Sequence, residues 1–301
     1  MPMTSLRYFE EVVRTGSIRL AAERLRIAPS AISRQIRNIE LELGAPLLER
    51  HARGVVLTSA GEIYASYARS ALIERDRIRA EIDDLKGLRR GHVRICTAEG
   101  IIDELMGNIA DFRVGHPGVT FQVVVVGSEH ILSVVRSGDA DVGIAYTASV
   151  EAGIRFASRR RAPLFAVMTR AHPLAKAKRL SLAATMAHPI AIPDKTFGVR
   201  RLLDTQCRTA RLVLRPVLES SSIDALRAFA RAGGGITYLP LVTVRRDLEL
   251  DMMVAVPMAD KPLGKGTLDF CIVDNRKLPS AAAAFLAHLQ RALVSLGETF
   301  A

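Results

Sequence analysis

Apolar residues recur at helical spacing through the first part of the chain. Leu6, Phe9, Val12 and Val13 give an amphipathic helix over Ser5–Thr15, closed by Gly16. A second helix runs from Ile18 to Leu25, with Ala21 and Ala22 where two helices must approach closely. After the turn Arg26-Ile27-Ala28, Pro29 suits the first position of a third helix, where its fixed φ costs nothing. Along that helix Ile32, Ile36, Ile39 and Leu43 share one face, and Ser30, Ser33, Arg34 and Arg37 share the other. An apolar back with a front of short donors and two arginines is what a helix needs to enter a major groove. An ordinary amphipathic helix with a solvated face gives the same pattern, so the neighbouring elements decide.

Two short apolar runs follow, Leu47-Leu48-Glu49-Arg50 and Val55-Val56-Leu57, separated by His51-Ala52-Arg53-Gly54. They read as a two-stranded hairpin tipped by Arg50, His51 and Arg53. Three helices and such a hairpin describe a winged helix-turn-helix over residues 1–58. Its tip cations would lie along a phosphate backbone or dip into a minor groove.

From Thr58 or Ser59, either a plausible cap, a helix without proline runs to about Leu88. Tyr64, Ala68, Ala71, Arg75, Ile78, Ile82 and Leu85 alternate by four and three, a heptad seam with one charged interruption. That stripe would pair two subunits, making 59–90 a linker and dimerisation helix; the alternative is a helix lying on its own domain.

Beyond Arg89-Arg90-Gly91 the periodicity changes to alternating strands and helices. Strands are expected at His92–Thr97, Thr120–Val126, Asp141–Tyr146 and Leu164–Thr169, with helices at Ile101–Gly115 and Leu132–Ser137. A second series follows Pro189: Ile190–Ile192, helix Arg200–Thr209, strand Leu212–Glu219, helix Ile223–Ala232 and strand Ile236–Leu239. Two comparable α/β halves imply mostly parallel sheets and two lobes around a cleft.

Composition narrows the function. The 301 residues carry a net charge of +11, which favours a polyanionic partner. Yet residues 1–61 hold nine arginines against six glutamates, so most of the excess lies downstream and DNA affinity is not its whole cause. Cys96, Cys207 and Cys271 are odd in number and scattered, which indicates neither a disulfide framework nor a zinc knuckle. No apolar run reaches membrane-spanning length and the N-terminus lacks a secretory apolar core, so a reducing cytoplasm is the expected home.

The stretches LRYFEEVVRTGSIRLAAERL, SAISRQIRNIELELGAPLLER and VVLTSAGE, between Leu6 and Glu62, resemble LysR-type transcriptional regulators. FRVGHPGV, SGDADVGIAY and GGGITYLP, further on, resemble that family's effector domain more loosely. The resemblance implies a multidomain α+β and α/β protein. Its parts are a winged helix-turn-helix, a long linker helix and a two-lobed effector domain like type 2 periplasmic binding proteins over 91–301. Lobe I would comprise about 91–163 and 268–301, and lobe II about 164–267. It further implies a homodimer or dimer of dimers (a homotetramer) on double-stranded promoter DNA, RNA polymerase as a partner, and a small-molecule effector that shifts the assembly's geometry. Ala28-Pro29 departs from the family pattern of a polar cap followed by Gln, so reading should fall on Ser30, Ser33, Arg34 and Arg37.

Family geometry places the effector cleft at strand C-termini and helix N-termini. Here that selects Thr97, Ala98, Glu99, Gly100, Ser128, Tyr146-Thr147, Thr196, Phe197, Gly198, Ser221-Ser222, Thr237 and Tyr238. Helix N-termini and the basic surroundings lean towards an anion, whereas Glu99 argues for an amine, so the charge of this co-inducer stays open. Turn chemistry selects the same residue types without any ligand. No cofactor or metal is expected, and no nucleophile elbow, HExxH or P-loop spacing supports an enzyme. A redox-sensing regulator is the alternative, because Cys207 sits among Arg200, Arg201, Arg208 and Arg211, cations that could lower its thiol pKa. A free solute-binding protein would leave the first 60 residues unexplained.

Overall fold

The computed structural model describes residues 3–51, 54–84, 91–274 and 276–293, which fall into two compact units, Met1–Ile82 and Asp83–Ala301. Arg53, Leu85 and the boundary at Arg89-Arg90 lie outside the described residues.

The first unit consists of α1 (Met3–Thr15), α2 (Ile18–Leu25), α3 (Pro29–Leu43), β1 (Leu48–His51), β2 (Gly54–Leu57) and α4 (Ser59–Asp84). Its core joins Phe9, Ala21, Ile32, Ile36, Ile39, Leu47 and Tyr64. Ser17 caps α2 by accepting from the Leu20 N–H at 3.4 Å. Ala28 offers α3 no side-chain cap, and Pro29 supplies the start instead. The hairpin is pinned at its root. Glu40 Oε1 accepts from the Leu47 and Leu48 N–H groups, and Val55 N–H donates to Gly16 O at 2.9 Å. A Cβ at Gly54, where φ is +138°, would come within 2.4 Å of that same Gly16 oxygen, so the wing can dock only with glycine there. Thr58 caps α4 through the Gly61 N–H.

The heptad reading of α4 needs correction. Tyr64, Ala65 and Ala68 are buried in their own unit, with Tyr64 edge-on to Phe9 at 4.8 Å. Of the seam, Ile78 and Ile82 do face solvent, about half exposed at 47% and 52%, and they are joined by Ile63 and Tyr67, which lie outside it.

The second unit contains two five-stranded sheets. The first has the order β4-β3-β5-β12-β6, from β3 (Gly91–Thr97), β4 (Val119–Val125), β5 (Val142–Tyr146), β6 (Ile154–Arg161) and β12 (Thr267–Val273). The second has the order β11-β7-β10-β8-β9, from β7 (Leu164–Met168), β8 (Ile190–Pro193), β9 (Leu218–Ser220), β10 (Ile236–Pro240) and β11 (Val254–Pro257). Both are mixed rather than mostly parallel. In the first, β3 pairs parallel with β4 and β5, but β12 runs antiparallel to β5 and β6. The reason is connectivity: β12 arrives from the other lobe, free of the crossover that fixes direction in a βαβ unit.

Helices α5 (Ile102–Gly115), α6 (Ser128–Arg136) and α11 (Ser280–Ala292) pack on the first sheet; α8 (Gly198–Ala210), α9 (Ile223–Arg231) and α10 (Leu241–Glu249) pack on the second, beside the short α7 (Leu182–Thr185). The expected strand Leu212–Glu219 shrinks to Leu218–Ser220. Arg211 ends α8 in a left-handed conformation, and Leu212 and Leu214 then pack into the core without a partner strand. Helix α6 begins four residues earlier than its apolar pattern suggests, directly after Gly127. Strand β6 escapes sequence reading because arginines crowd it, a composition suited to an exposed sheet edge.

Candidate functional site

In the first unit the exposed front of α3 is the candidate nucleic-acid surface. Ile32, Ile36 and Ile39 are buried beneath it, while Ser30, Arg34 and Arg37 are exposed and Ser33 is half-buried. Among the described residues no carboxylate pairs with Arg34 or Arg37, so both guanidiniums keep their five donors for a partner. Gln35 is turned inward and accepts from Ser5 Oγ at 2.8 Å, which fixes the roll of α3 against α1. His51 stands exposed at the end of β1, its Nε2 3.6 Å from Glu49. Arg50 lies in the same strand.

In the second unit the two sheets face each other across a cleft whose walls are strand ends and helix starts. Ala98, Gly100, Ser128, Phe197 and Gly198 line its cavity, with Ile101, Tyr146, Ile223, Leu239 and Thr243. The cavity is about 30 Å3, room for one or two waters and far below the several hundred Å3 of a typical ligand pocket. Its walls are almost wholly apolar. Ser128 is 6% exposed, and among the described residues its Oγ has no hydrogen-bond partner.

Other candidates serve the framework. Thr97 donates to Ala98 O and Ile144 O inside the first sheet. Thr147, at φ +52°, accepts from the Thr267 N–H. Thr196 Oγ1 donates to Asp194 at 2.6 Å. Tyr238 alternates to the far face of β10, where its hydroxyl meets Thr185 at 2.6 Å and burial raises its pKa. Thr237 is buried on the same face as Leu239, its hydroxyl without a partner among the described residues, and Ser221 is exposed. Sequence reasoning misses the apolar lining because turn chemistry directs it to Ser, Thr and Gly. Thr243 lies in α10, an element absent from the sequence reading.

Glu99 has the most consequential placement. Its carboxylate crosses the cleft to the start of α9 and accepts from Ser222 Oγ at 2.9 Å, Ile223 N–H at 2.7 Å and Asp224 N–H at 3.4 Å. Unpaired N–H groups and the dipole favour an anion at a helix N-terminus, and here the chain supplies one itself. Two ion pairs cross the cleft nearby: Arg227 to Asp103 at 3.2 Å and Arg245 to Glu104 at 3.3 Å. Arg227 also holds the buried Asp247, at 2.7 Å. Further along, Arg201 donates to Thr147 O at 2.6 Å.

None of the cysteines offers an exposed thiol. Cys96, Cys207 and Cys271 are all buried and free. Burial pushes the Cys207 thiol pKa up, with Asp204 and Asp260 adding to the shift and Arg200 opposing it. The expected lowering fails because Arg200 is spent on Asp204 and Glu219. Among the described residues no helix is long and apolar enough to cross a membrane, and no cluster of three or more His, Cys, Asp or Glu could hold a metal.

A winged helix-turn-helix followed by a two-sheet α/β unit with a central cleft defines a DNA-binding regulator with an effector domain. Comparison with known families matches residues 3–62 to the bacterial regulatory helix-turn-helix protein, lysR family, and residues 86–294 to the LysR substrate binding domain. The chain belongs to the LysR family of transcriptional regulators. Among similar proteins, the transcriptional dual regulator GltC of Bacillus subtilis is 28% identical over 291 residues, 95% of each chain. The RuBisCO operon transcriptional regulator of Allochromatium vinosum is 26% identical over 260 residues, 86% of each. A full-length OxyR variant from Pseudomonas aeruginosa shares the fold at TM-score 0.76 and 19% identity, covering 96% of this chain and 95% of that one. CbnR complexed with its target DNA does so at TM-score 0.63 and 21% identity, covering 97% and 100%.

Proposed function

We propose that this protein reads promoter DNA with the front of α3 and the β1–β2 wing, and that a small-molecule effector in the interlobe cleft modulates that binding. The observation that carries the DNA half is the pair of exposed, uncompensated arginines on a helix whose opposite face is locked into the core. Arg34 is the main base or phosphate anchor. Ser30, Ser33 and Arg37 supply the remaining α3 contacts, and Arg50, His51 and Arg53 the wing contacts. CbnR, which shares the fold, has been solved with its target DNA, which supports DNA as the partner. The exposed apolar face of α4 pairs subunits into a dimer, and two dimers into a tetramer spanning two half-sites; RNA polymerase is the downstream partner. Its three free thiols suit a reducing cytoplasm.

The domain limits follow this division of labour: DNA reading over 1–58, pairing over 59–90 and effector response over 91–301. Small-molecule gating is favoured over a redox switch at Cys207, since a buried thiol with a raised pKa presents little thiolate to an oxidant. The test is footprinting of Arg34→Ala on the protein's own operator. A good arginine contact contributes about 1–3 kcal/mol, so affinity should fall roughly 5- to 150-fold. An unchanged footprint would sink the assignment of Arg34.

A further inference from the structure

We propose that Glu99 is a built-in anion occupying the helix N-terminus of the cleft, and that the cleft therefore takes a small, uncharged, largely apolar ligand rather than a free carboxylate. This rests on the effector reading above and specifies its chemistry.

Three observations converge. First, the strongest anion position is already filled: both Glu99 oxygens are engaged at the start of α9, by Ser222 Oγ and the Ile223 and Asp224 N–H groups. A second carboxylate would compete for those donors against a tethered group and meet its negative charge. Second, the space beside Glu99 is apolar, walled by Ile101, Phe197 and Leu239, among others. An anion placed there loses its hydration and meets Glu99, and a cation loses its hydration beside a carboxylate already engaged by three donors. Third, a polar group at the wall is unspent. Among the described residues Ser128 Oγ, buried at the cavity wall, has no partner, and a hydroxyl can donate to or accept from one neutral polar group. An apolar body with a neutral hydrogen-bonding group describes a compact uncharged molecule, such as an aromatic or aliphatic alcohol, aldehyde or amide.

Size ties the ligand to regulation. An apolar cavity of roughly 150 Å3 accommodates a benzene ring, whereas this one measures about 30 Å3. A ring-sized ligand therefore has to part the two lobes, and Glu99 on α9 resists parting together with the Arg227–Asp103 and Arg245–Glu104 pairs. Ligand entry and formation of the Glu99 bridge are opposing events on the same equilibrium, so the bridge contributes to how strongly the ligand must bind to shift it.

The experiment is thermal unfolding of the full-length protein with a matched pair of probes, benzyl alcohol and benzoate, and separately with acetate. Sodium chloride at equal ionic strength is the control. Wild type should rise by about 2–4 °C with benzyl alcohol and be indifferent to benzoate and acetate. In Glu99→Ala the vacated N–H groups accept an external anion, so acetate should raise its Tm by a similar few degrees, an effect absent in wild type and not reproduced by chloride. If the alanine protein does not fold, Glu99→Ser serves, because it retains a short polar side chain and still frees the helix start. Ser128→Ala should lose the benzyl alcohol shift and keep the wild-type indifference to acetate. Benzoate stabilising wild type as well as benzyl alcohol does overturns the neutral class while leaving a small-molecule cleft intact. Indifference of both Glu99 variants to acetate overturns the built-in anion. Failure of every probe on every protein counts against the cleft itself, and with it the effector reading.

Discussion

Individual side chains show how position overrides composition. Cys207 is surrounded in sequence by cations that ought to favour a thiolate, yet Arg200 and Arg201 are held by other partners and desolvation outweighs the opposing pull of Arg200. Tyr64 shows the same ordering of effects. Burial against Phe9, reinforced by Tyr67 and Glu42, pushes its pKa up to about 12 from the ordinary 10. Because the folded state keeps the phenol protonated while the unfolded chain releases it above pH 10, folding binds the extra proton. Stability is therefore present below pH 10 and falls as pH rises from 10 to about 12. Denaturant titrations from pH 9 to 12 should show this loss, on the order of 2 kcal/mol, in the winged-helix unit, and Tyr64→Phe should flatten it. An unchanged slope in the phenylalanine protein would assign the alkaline loss to another group.

At the level of elements, α3 and α4 present opposite lessons. In α3 the period of apolar residues gives the buried face at Ile32, Ile36 and Ile39, since a helix pressed on one core has one stripe. Leu43, on the last turn, runs past that core and is 45% exposed. Helix α4 serves two surfaces. Its early residues Tyr64, Ala65 and Ala68 close the winged-helix core, and Ile63, Tyr67, Ile78 and Ile82 form a second apolar face directed to solvent. A single heptad runs the two stripes together. Exposed isoleucines two turns from any core of their own are costly to leave in water, and their burial against a second copy is the expected remedy. Double substitution Ile78→Glu, Ile82→Glu should convert the protein to monomers in sedimentation velocity, without lowering the Tm of the winged-helix unit by more than about 1 kcal/mol equivalent, as exposed substitutions rarely do more. A dimer that survives both charges would place the interface elsewhere.

Across the whole molecule, the effector unit is held by charges that its cleft brings together. Asp247 is buried at 1% exposure and is met by Arg227 and Arg231, while Arg227 also reaches across the cleft to Asp103. Removing one partner of such a pair leaves a buried charge under-compensated. Arg227→Ala should accordingly destabilise the effector unit by about 3 kcal/mol and weaken lobe closure, as seen in denaturation and in small-angle scattering of the full chain. A variant as stable as wild type would mean that Arg231 alone satisfies Asp247.

The winged helix was legible in the sequence because its helices, turn residues and hairpin are each defined within a dozen neighbouring positions, where periodicity and capping act. The alternation of strands and helices after Gly91 was legible for the same reason, and so were Gly100, Ser128 and Gly198 as cleft residues, since they end strands or start helices. What only the tertiary structure decided depends on distant partners. Strand β12 joins a sheet whose other members lie more than 100 residues earlier, and Tyr64 folds back onto Phe9. The cleft turned out to be apolar and narrow because residues from both lobes close on it. Glu99 changed most. In the sequence it was an isolated carboxylate that could repel one ligand or attract another; in the fold it is bound to Ser222 and Ile223, 123 and 124 positions away. Local patterns fix which groups a chain can offer, but a charge acquires its role only when folding chooses its partner.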